Sequence, residues 1–104
     1  MISRHWRGLA KPTHAEPYLD HLRRDTFPAL HAIPGFVDAT VLRRDLAKGV
    51  EFLVVTRWTS LDAIEQFAGP DFELAVVPET VQEMMTEYDR SVRHYTIIDA
   101  VVGA

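Results

Sequence analysis

Histidine is the side chain most able to exchange a proton near neutral pH, and this chain has five histidines. His94 alternates with Val92 and Ile98 in a stretch that has the two-residue period of a strand. Its imidazole is therefore expected in buried surroundings, where it could act as a general base or a hydrogen-bond donor. The simpler interpretation is a core or interface histidine, because no Ser, Cys or paired carboxylate completes a recognised catalytic group around it.

Aromatic side chains could form the walls of a pocket for a flat substrate. Trp6 and Trp58 offer large rigid faces, although ordinary packing explains both tryptophans as well. Tyr18 and His21 are three residues apart in a predicted helix, so they could project a phenol and an imidazole towards one cavity. Tyr18 lies on the apolar stripe of that helix, whereas His21 lies beside the stripe and could simply be solvated.

The sequence contains no motif for a metal or cofactor. The five histidines are not spaced as close ligand pairs, and there is no cysteine for a thiolate site or a disulfide. The five glycines stand isolated at turns, so no phosphate-binding loop is present. We therefore expect no bound metal, nucleotide or flavin.

Composition also limits the partners and the location. A net charge of −4 lacks the clustered cations that nucleic acids require, so neither DNA nor RNA is an expected partner. No run approaches the roughly 20 apolar residues of a membrane span, and the charged amino terminus does not resemble a signal peptide. Together with the lack of cysteine, these features favour the cytoplasm.

The pattern of apolar residues predicts a single α+β domain over residues 1–104. Thr13 and Glu16 have the spacing of a capping box, and Ser60 is an expected N-cap of the second helix. The order β-α-β-β-α-β is that of the ferredoxin-like fold, with a four-stranded antiparallel sheet and both helices on one face. The predicted strands are 2–9, 36–45, 50–59 and 91–101, and the predicted helices are 13–32, 60–69 and 71–88, the last interrupted at Pro78.

The third strand predicts a homodimer. Phe52, Val54 and Trp58 alternate with Leu53 and Val55, so both faces of this strand are largely apolar. Two helices cover only one face of the sheet, and an exposed apolar face of several hundred Å² is an association surface. The economical partner is a second copy of the chain, related by a two-fold axis. The sequence does not indicate which of the two rows faces the helices.

Several short motifs, taken in order, resemble the antibiotic biosynthesis monooxygenase family. They extend over nearly the whole chain: Pro34-Gly35-Phe36, Thr56-Arg57-Trp58, Ser60-Leu61-Asp62-Ala63-Ile64, Phe67-Ala68-Gly69 and Val92-Arg93-His94-Tyr95. The resemblance implies a ferredoxin-like protomer, a dimeric α+β barrel and a cavity between the sheet and the helices. It also implies one of the activities found in such families. Some members oxygenate aromatic polyketides without a cofactor and others degrade haem, while further members have other activities or none known.

Three places in the chain depart from the pattern that the resemblance implies. Haem-degrading relatives carry Trp in the second helix, where this chain has Phe67, and a histidine ligand shortly after it, where this chain has Val76 and Val77. Many relatives also have an acidic residue at the position of Thr56.

Taken together, the candidate pocket residues are Trp6, Tyr18, His21, Trp58 and Phe67, with His94 as the candidate base or hydrogen-bond donor.

Two functions follow as hypotheses. The first is oxygenation of a small aromatic or polyketide-type substrate without a cofactor, with the tryptophans holding the substrate and His94 acting on a hydroxyl. The alternative is a dimer that binds a small apolar ligand, or serves in a stress response, without catalysis. The two differ in whether polar groups converge inside the cavity, because catalysis needs a positioned donor or base.

Overall fold

The sheet is built around β1 and β3, which lie side by side at its centre. The computed structural model describes residues 1–103. Every strand pairing is antiparallel, the sheet order is β2-β3-β1-β4, and β5 pairs with β1 beyond β4 along the same edge. This is the predicted ferredoxin-like α+β fold, but the sheet has five strands and not the predicted four, because β4 and β5 both pair with β1. The elements are β1 (Ile2–Ala10), α1 (Ala15–His21), α2 (Phe27–His31), β2 (Phe36–Leu46), β3 (Gly49–Trp58), α3 (Leu61–Ala68), α4 (Glu79–Met84), β4 (Met85–Tyr88) and β5 (Arg93–Thr96).

The helical stretch predicted over 13–32 is present, but it changes its winding twice. A 3₁₀ turn at Pro12–His14 leads into α1, and a wider π turn at Leu22–Thr26 joins α1 to α2. Pro28 follows that turn; because proline has no N–H to donate, a local change of winding at this point is expected. The predicted capping box is wrong: Thr13 lies inside the 3₁₀ turn, and no side chain caps α1.

The second helix begins and ends at the predicted residues. The Ser60 hydroxyl accepts a hydrogen bond from the Ala63 N–H at 3.2 Å, which satisfies one of the free donors at the start of α3. The helix ends at Gly69, whose φ of 84° lies in the region that glycine tolerates best. None of the helices in residues 1–103 is long and apolar enough to cross a membrane.

The predicted boundaries are wrong after residue 70. The expected helix over 71–88 is reduced to α4, and Met85–Tyr88 forms a strand instead. Met85 pairs with Ala10 and Tyr88 with Gly8, across an irregularity in the register. That irregularity places two residues three apart on one face of the sheet, so a spacing typical of a helix occurs here in a strand. The last strand is also shorter than its predicted span, because β5 ends at Thr96.

The helices cover one face of the sheet and leave the other open. Phe52 and Trp58 are fully buried on the helix side, within two adjacent core clusters. Val54 packs against the first cluster, so this row of β3 faces the helices. Leu53 and Val55 alternate with it and therefore lie on the open face. The structure thereby decides between the two rows that the sequence left equivalent.

Candidate functional site

A cleft lies between the helix side of the sheet and the first helical stretch. Its cavity volume is about 80 Å³, and the empty space amounts to about 580 Å³ when the open mouth is included. The sheet contributes its floor, and the irregular segment around 76–78 contributes part of its wall. The residues that line it are mostly apolar, with a few polar side chains: Arg4, Trp6, Tyr18, His21, Leu22, Thr26, Leu30, Val54, Thr56, Phe67, Val76, Val77, Pro78, Val81 and Val92.

Four of the candidate pocket residues meet at this cleft: Trp6, Tyr18, His21 and Phe67. The Trp6 indole N–H donates to the main-chain oxygen of Asp89 at 2.9 Å, which fixes the orientation of the ring. Tyr18 packs between Trp6 and Phe52, with ring centroids 6.1 Å and 5.1 Å apart. Burial raises the pKa of the Tyr18 phenol, so its hydroxyl stays protonated and can donate a hydrogen bond.

Trp58 does not line the cleft. It is fully buried behind the cleft wall, where its ring stacks on Phe67 with centroids 6.0 Å apart and meets Phe36 edge-on at 5.3 Å. Its indole N–H donates to the Thr56 hydroxyl at 2.8 Å. Trp58 therefore supports two residues of the wall, Phe67 and Thr56, from behind.

His94 also lies outside the cleft lining. It faces the helix side of the sheet. In the pairing of β5 with β1, His94 lies directly opposite Arg4. The Arg4 Nη1 donates to His94 Nε2 at 2.9 Å, and because a guanidinium has no acceptor, Nε2 must be the lone-pair nitrogen. Burial, followed by the charge of Arg4, lowers the pKa of His94. Its imidazole is thus neutral, and its Nε2 is occupied by Arg4.

His21 presents the imidazole that lines the cleft. Its Nδ1 lies 3.2 Å from a carboxylate oxygen of Asp25, one helical turn further along the chain. A carboxylate this close favours the tautomer that carries the proton on Nδ1 and a lone pair on Nε2. The contact pairs a candidate general base with an acid, which the sequence analysis did not identify.

Arg4 was not among the predicted site residues, although it lies in the wall of the cleft. It is 5% exposed, and its charge sits 5.8 Å from the centre of the Phe67 ring. Burial lowers its pKa to about 10, so the guanidinium is still charged at neutral pH. A signal was available in the sequence, because Arg4 alternates with Ile2 and Trp6 in a row that has to face the core.

The stability of the protein should fall as the pH drops below about 6.5, the ordinary pKa of histidine. The pKa values of His94 and of His5, which lies on the open face, are both lowered below this value. Burial is the largest cause in both cases. The unfolded chain then binds more protons than the folded chain in the window below 6.5, so the free energy of unfolding decreases. We expect His94→Gln to flatten this slope in denaturant titrations between about pH 7.5 and 5.5. A slope equal to that of the wild type would contradict this assignment.

Metal and haem ligands can be sought in the same geometry. Among residues 1–103, no three His, Asp or Glu side chains are grouped closely enough to hold a metal ion. Val76 and Val77, where the resemblance places a haem ligand, line the cleft with aliphatic side chains that cannot ligate iron.

Solved structures with the same fold include several oxygenases. SnoaB from Streptomyces nogalater, a cofactor-independent oxygenase, is 19% identical with a TM-score of 0.68, and the match covers 96% of this chain and 95% of SnoaB. The monooxygenase ActVA-Orf6 from Streptomyces coelicolor, in complex with nanaomycin D, is 14% identical with a TM-score of 0.68, over 99% and 92% of the two chains. Rv0793 from Mycobacterium tuberculosis is 16% identical with a TM-score of 0.68, over 97% and 98%.

The sequence itself identifies the family. No functionally curated protein matches the chain. The solved structures above are too distant in sequence to show more than the fold. A model of the antibiotic biosynthesis monooxygenase family, however, matches residues 1–75, which is well over half of the chain. The chain therefore belongs to the antibiotic biosynthesis monooxygenase family.

Proposed function

We propose that the protein oxygenates a small aromatic or polyketide-type molecule in the cleft, without a cofactor. The observation that carries this proposal is the convergence of aromatic walls with one oriented imidazole, that of His21, in a single cleft. Trp6 and Phe67 offer faces on which a flat substrate can pack. Polar groups at the same place favour catalysis over simple storage of an apolar ligand, for which apolar walls would suffice.

In the proposed reaction, His21 Nε2 removes a proton from an activated CH₂ or an adjacent hydroxyl of the substrate. The resulting carbanion passes one electron to O₂, the two radicals combine into a peroxide anion, and His21 returns its proton to give the hydroperoxide. His21 then takes the remaining proton of the same carbon while the O–O bond breaks, and passes it to the departing hydroxide, so that water leaves and a carbonyl remains. One oxygen atom thus enters the product, the other becomes water, and the substrate itself supplies the electrons.

His94 has a supporting place in this proposal. The sequence suggested it as the base, but its Nε2 accepts a hydrogen bond from Arg4 and its ring packs edge-on against Phe72, with centroids 5.5 Å apart. We assign it the role of holding Arg4 in position at the cleft. The base is His21, whose imidazole reaches the cleft directly.

Oxygen uptake tests the proposal. The wild-type protein should consume O₂ with an anthrone- or quinol-type substrate several times faster than buffer, in which such compounds oxidise slowly. Val77→Trp places a large ring in the cleft lining, so the excess rate should disappear. The same change at Val101, which is 94% exposed, should leave the rate intact. Equal rates for wild type and buffer across the substrate series would count against oxygenation.

We also propose that the protein forms a homodimer through the open face of the sheet. Leu42 and Leu53 lie directly opposite one another there, at 49% and 36% exposure, and Tyr95 is half exposed on the same face. Ion pairs of Glu51 with Arg7 and Arg44 lie beside this apolar band. Removal of several hundred Å² of apolar surface per partner, at about 25 cal/mol per Å², exceeds the lower values for the cost of association.

A further inference from the structure

Arg4 is a buried cation without an acidic partner. In the described residues 1–103, no carboxylate lies within ion-pairing distance of its guanidinium, and burial is the only cause that shifts its pKa. A charge removed from water is costly unless an opposite charge or a full set of hydrogen bonds compensates it. The ion pairs of the other arginines lie on the open face or at the surface.

The hydrogen bonds of Arg4 compensate this cost only in part. Its Nη1 donates to the Phe72 main-chain oxygen and to His94 Nε2, and its Nη2 donates to the Leu74 oxygen at 3.1 Å. Guanidinium has five N–H groups, so the Nε–H and one Nη2–H remain without an acceptor in the described chain. No side-chain nitrogen in the described residues is both sealed from solvent and without a partner, so the partnerless Nε–H faces accessible space. The accessible space that Arg4 lines is the cleft.

We propose that Arg4 binds an oxyanion of the ligand, so that the molecule in the cleft is a small aromatic compound with a carboxylate or an ionised hydroxyl. Two free N–H groups on one guanidinium can donate in parallel to two oxygens of a carboxylate, the arrangement that arginine favours. The three existing hydrogen bonds hold the guanidinium in place before the ligand arrives, which lowers the entropy lost on binding. Phe67, which also lines the cleft, lies beneath the charge.

A purely structural role would be to fasten the segment around Phe72 and Leu74 to β1. The contacts to these two main-chain oxygens serve that role. The structural role needs no ligand. It predicts that an acidic compound and a neutral one of the same shape bind with equal affinity. Binding selectivity therefore separates the two roles.

Calorimetry with naphthoate and naphthamide tests the inference, because the two compounds share a shape and differ in charge. Wild type should bind the acid about 10- to 100-fold more tightly than the amide, as expected for charge-assisted hydrogen bonds in a buried site. Arg4→Met should lose this preference while it still binds the amide. Arg23→Met removes the same charge from the exposed surface and should keep the preference. The same comparison of affinities between nitrophenolate and nitroanisole measures the preference for an ionised hydroxyl. The larger of the two preferences shows whether the cleft favours a carboxylate or an ionised hydroxyl.

The affinities of the wild-type protein for each anion and its neutral partner test the inference even if Arg4→Met does not fold. If wild type shows no preference for either anion over its neutral partner, or binds none of the four compounds, the inference is overturned. A preference that survives in folded Arg4→Met overturns it as well. The inference builds on the proposed use of the cleft, but none of these probes has to be oxidised. Anion selectivity without oxygen uptake would therefore refute the oxygenase proposal and leave this inference standing.

Discussion

Replacing His21 with Gln is expected to lower kcat for oxygen uptake by about 10²- to 10⁴-fold, the usual contribution of a general base. KM should change little, because glutamine is similar in size and leaves the aromatic walls of the cleft in place. The loss follows from the position of the imidazole: it lines the cleft, and the carboxylate of Asp25 holds its Nδ1 at 3.2 Å. Oxygen-electrode kinetics over a range of substrate concentrations separates kcat from KM.

Three further variants show whether the loss belongs to the base. Asp25→Asn should cost less, about tenfold, because the imidazole remains but loses the acceptor that fixes its tautomer. His31→Gln changes an exposed histidine on α2 and should leave kcat unchanged. His94→Gln should affect KM more than kcat, because His94 acts through Arg4. If His94→Gln lowers kcat as far as His21→Gln does, the assignment of the base to His21 is refuted.

Aspartate at two neighbouring positions of β3 should have opposite consequences. Val54 is half-buried and packs against the helix-side core, so Val54→Asp places a poorly solvated charge there and should cost about 1–3 kcal/mol of stability. Leu53 lies on the open face, so Leu53→Asp should leave the protomer folded and break the proposed dimer. Light scattering should give about 24 kDa for wild type, twice the 11.8 kDa of the chain, and about 12 kDa for Leu53→Asp.

An exposed site on α2 supplies the control for added charge. Ala29→Asp should leave both the mass and the unfolding midpoint close to those of wild type. The dimer proposal is refuted if folded wild type has a mass of about 12 kDa at micromolar concentration. The assignment of the two rows is refuted if Leu53→Asp unfolds while Val54→Asp stays folded.

Local signals in the sequence were sufficient for α3 but not for α1, where the capping box predicted from Thr13 and Glu16 does not form. Ser60 and Gly69 bound α3 because capping and a positive φ depend on a few neighbouring residues. The apolar alternation of β3 established its strand character, but its two rows are alike in composition. Only the packing of the helices distinguishes Val54 from Leu53, and that packing is a tertiary property.

Tertiary pairing explains the errors in the second half. Met85 and Tyr88 have helical spacing, yet they pair with Ala10 and Gly8 of β1, more than 70 residues earlier in the chain. A long-range partner of this kind leaves no trace in the local pattern. The cleft shows the same limit: residue type identified Trp6, Tyr18 and His21, but the contact that occupies His94 Nε2 comes from Arg4, 90 residues away.

Mass spectrometry of the product formed under oxygen-18 gas in unlabelled water tests oxygenation in the cleft most directly. We expect one labelled oxygen atom per product molecule, formed at a rate well above that of buffer and lost in Val77→Trp and His21→Gln. Product that carries unlabelled oxygen, or labelled product that forms equally fast with both variants, would contradict oxygenation in this cleft.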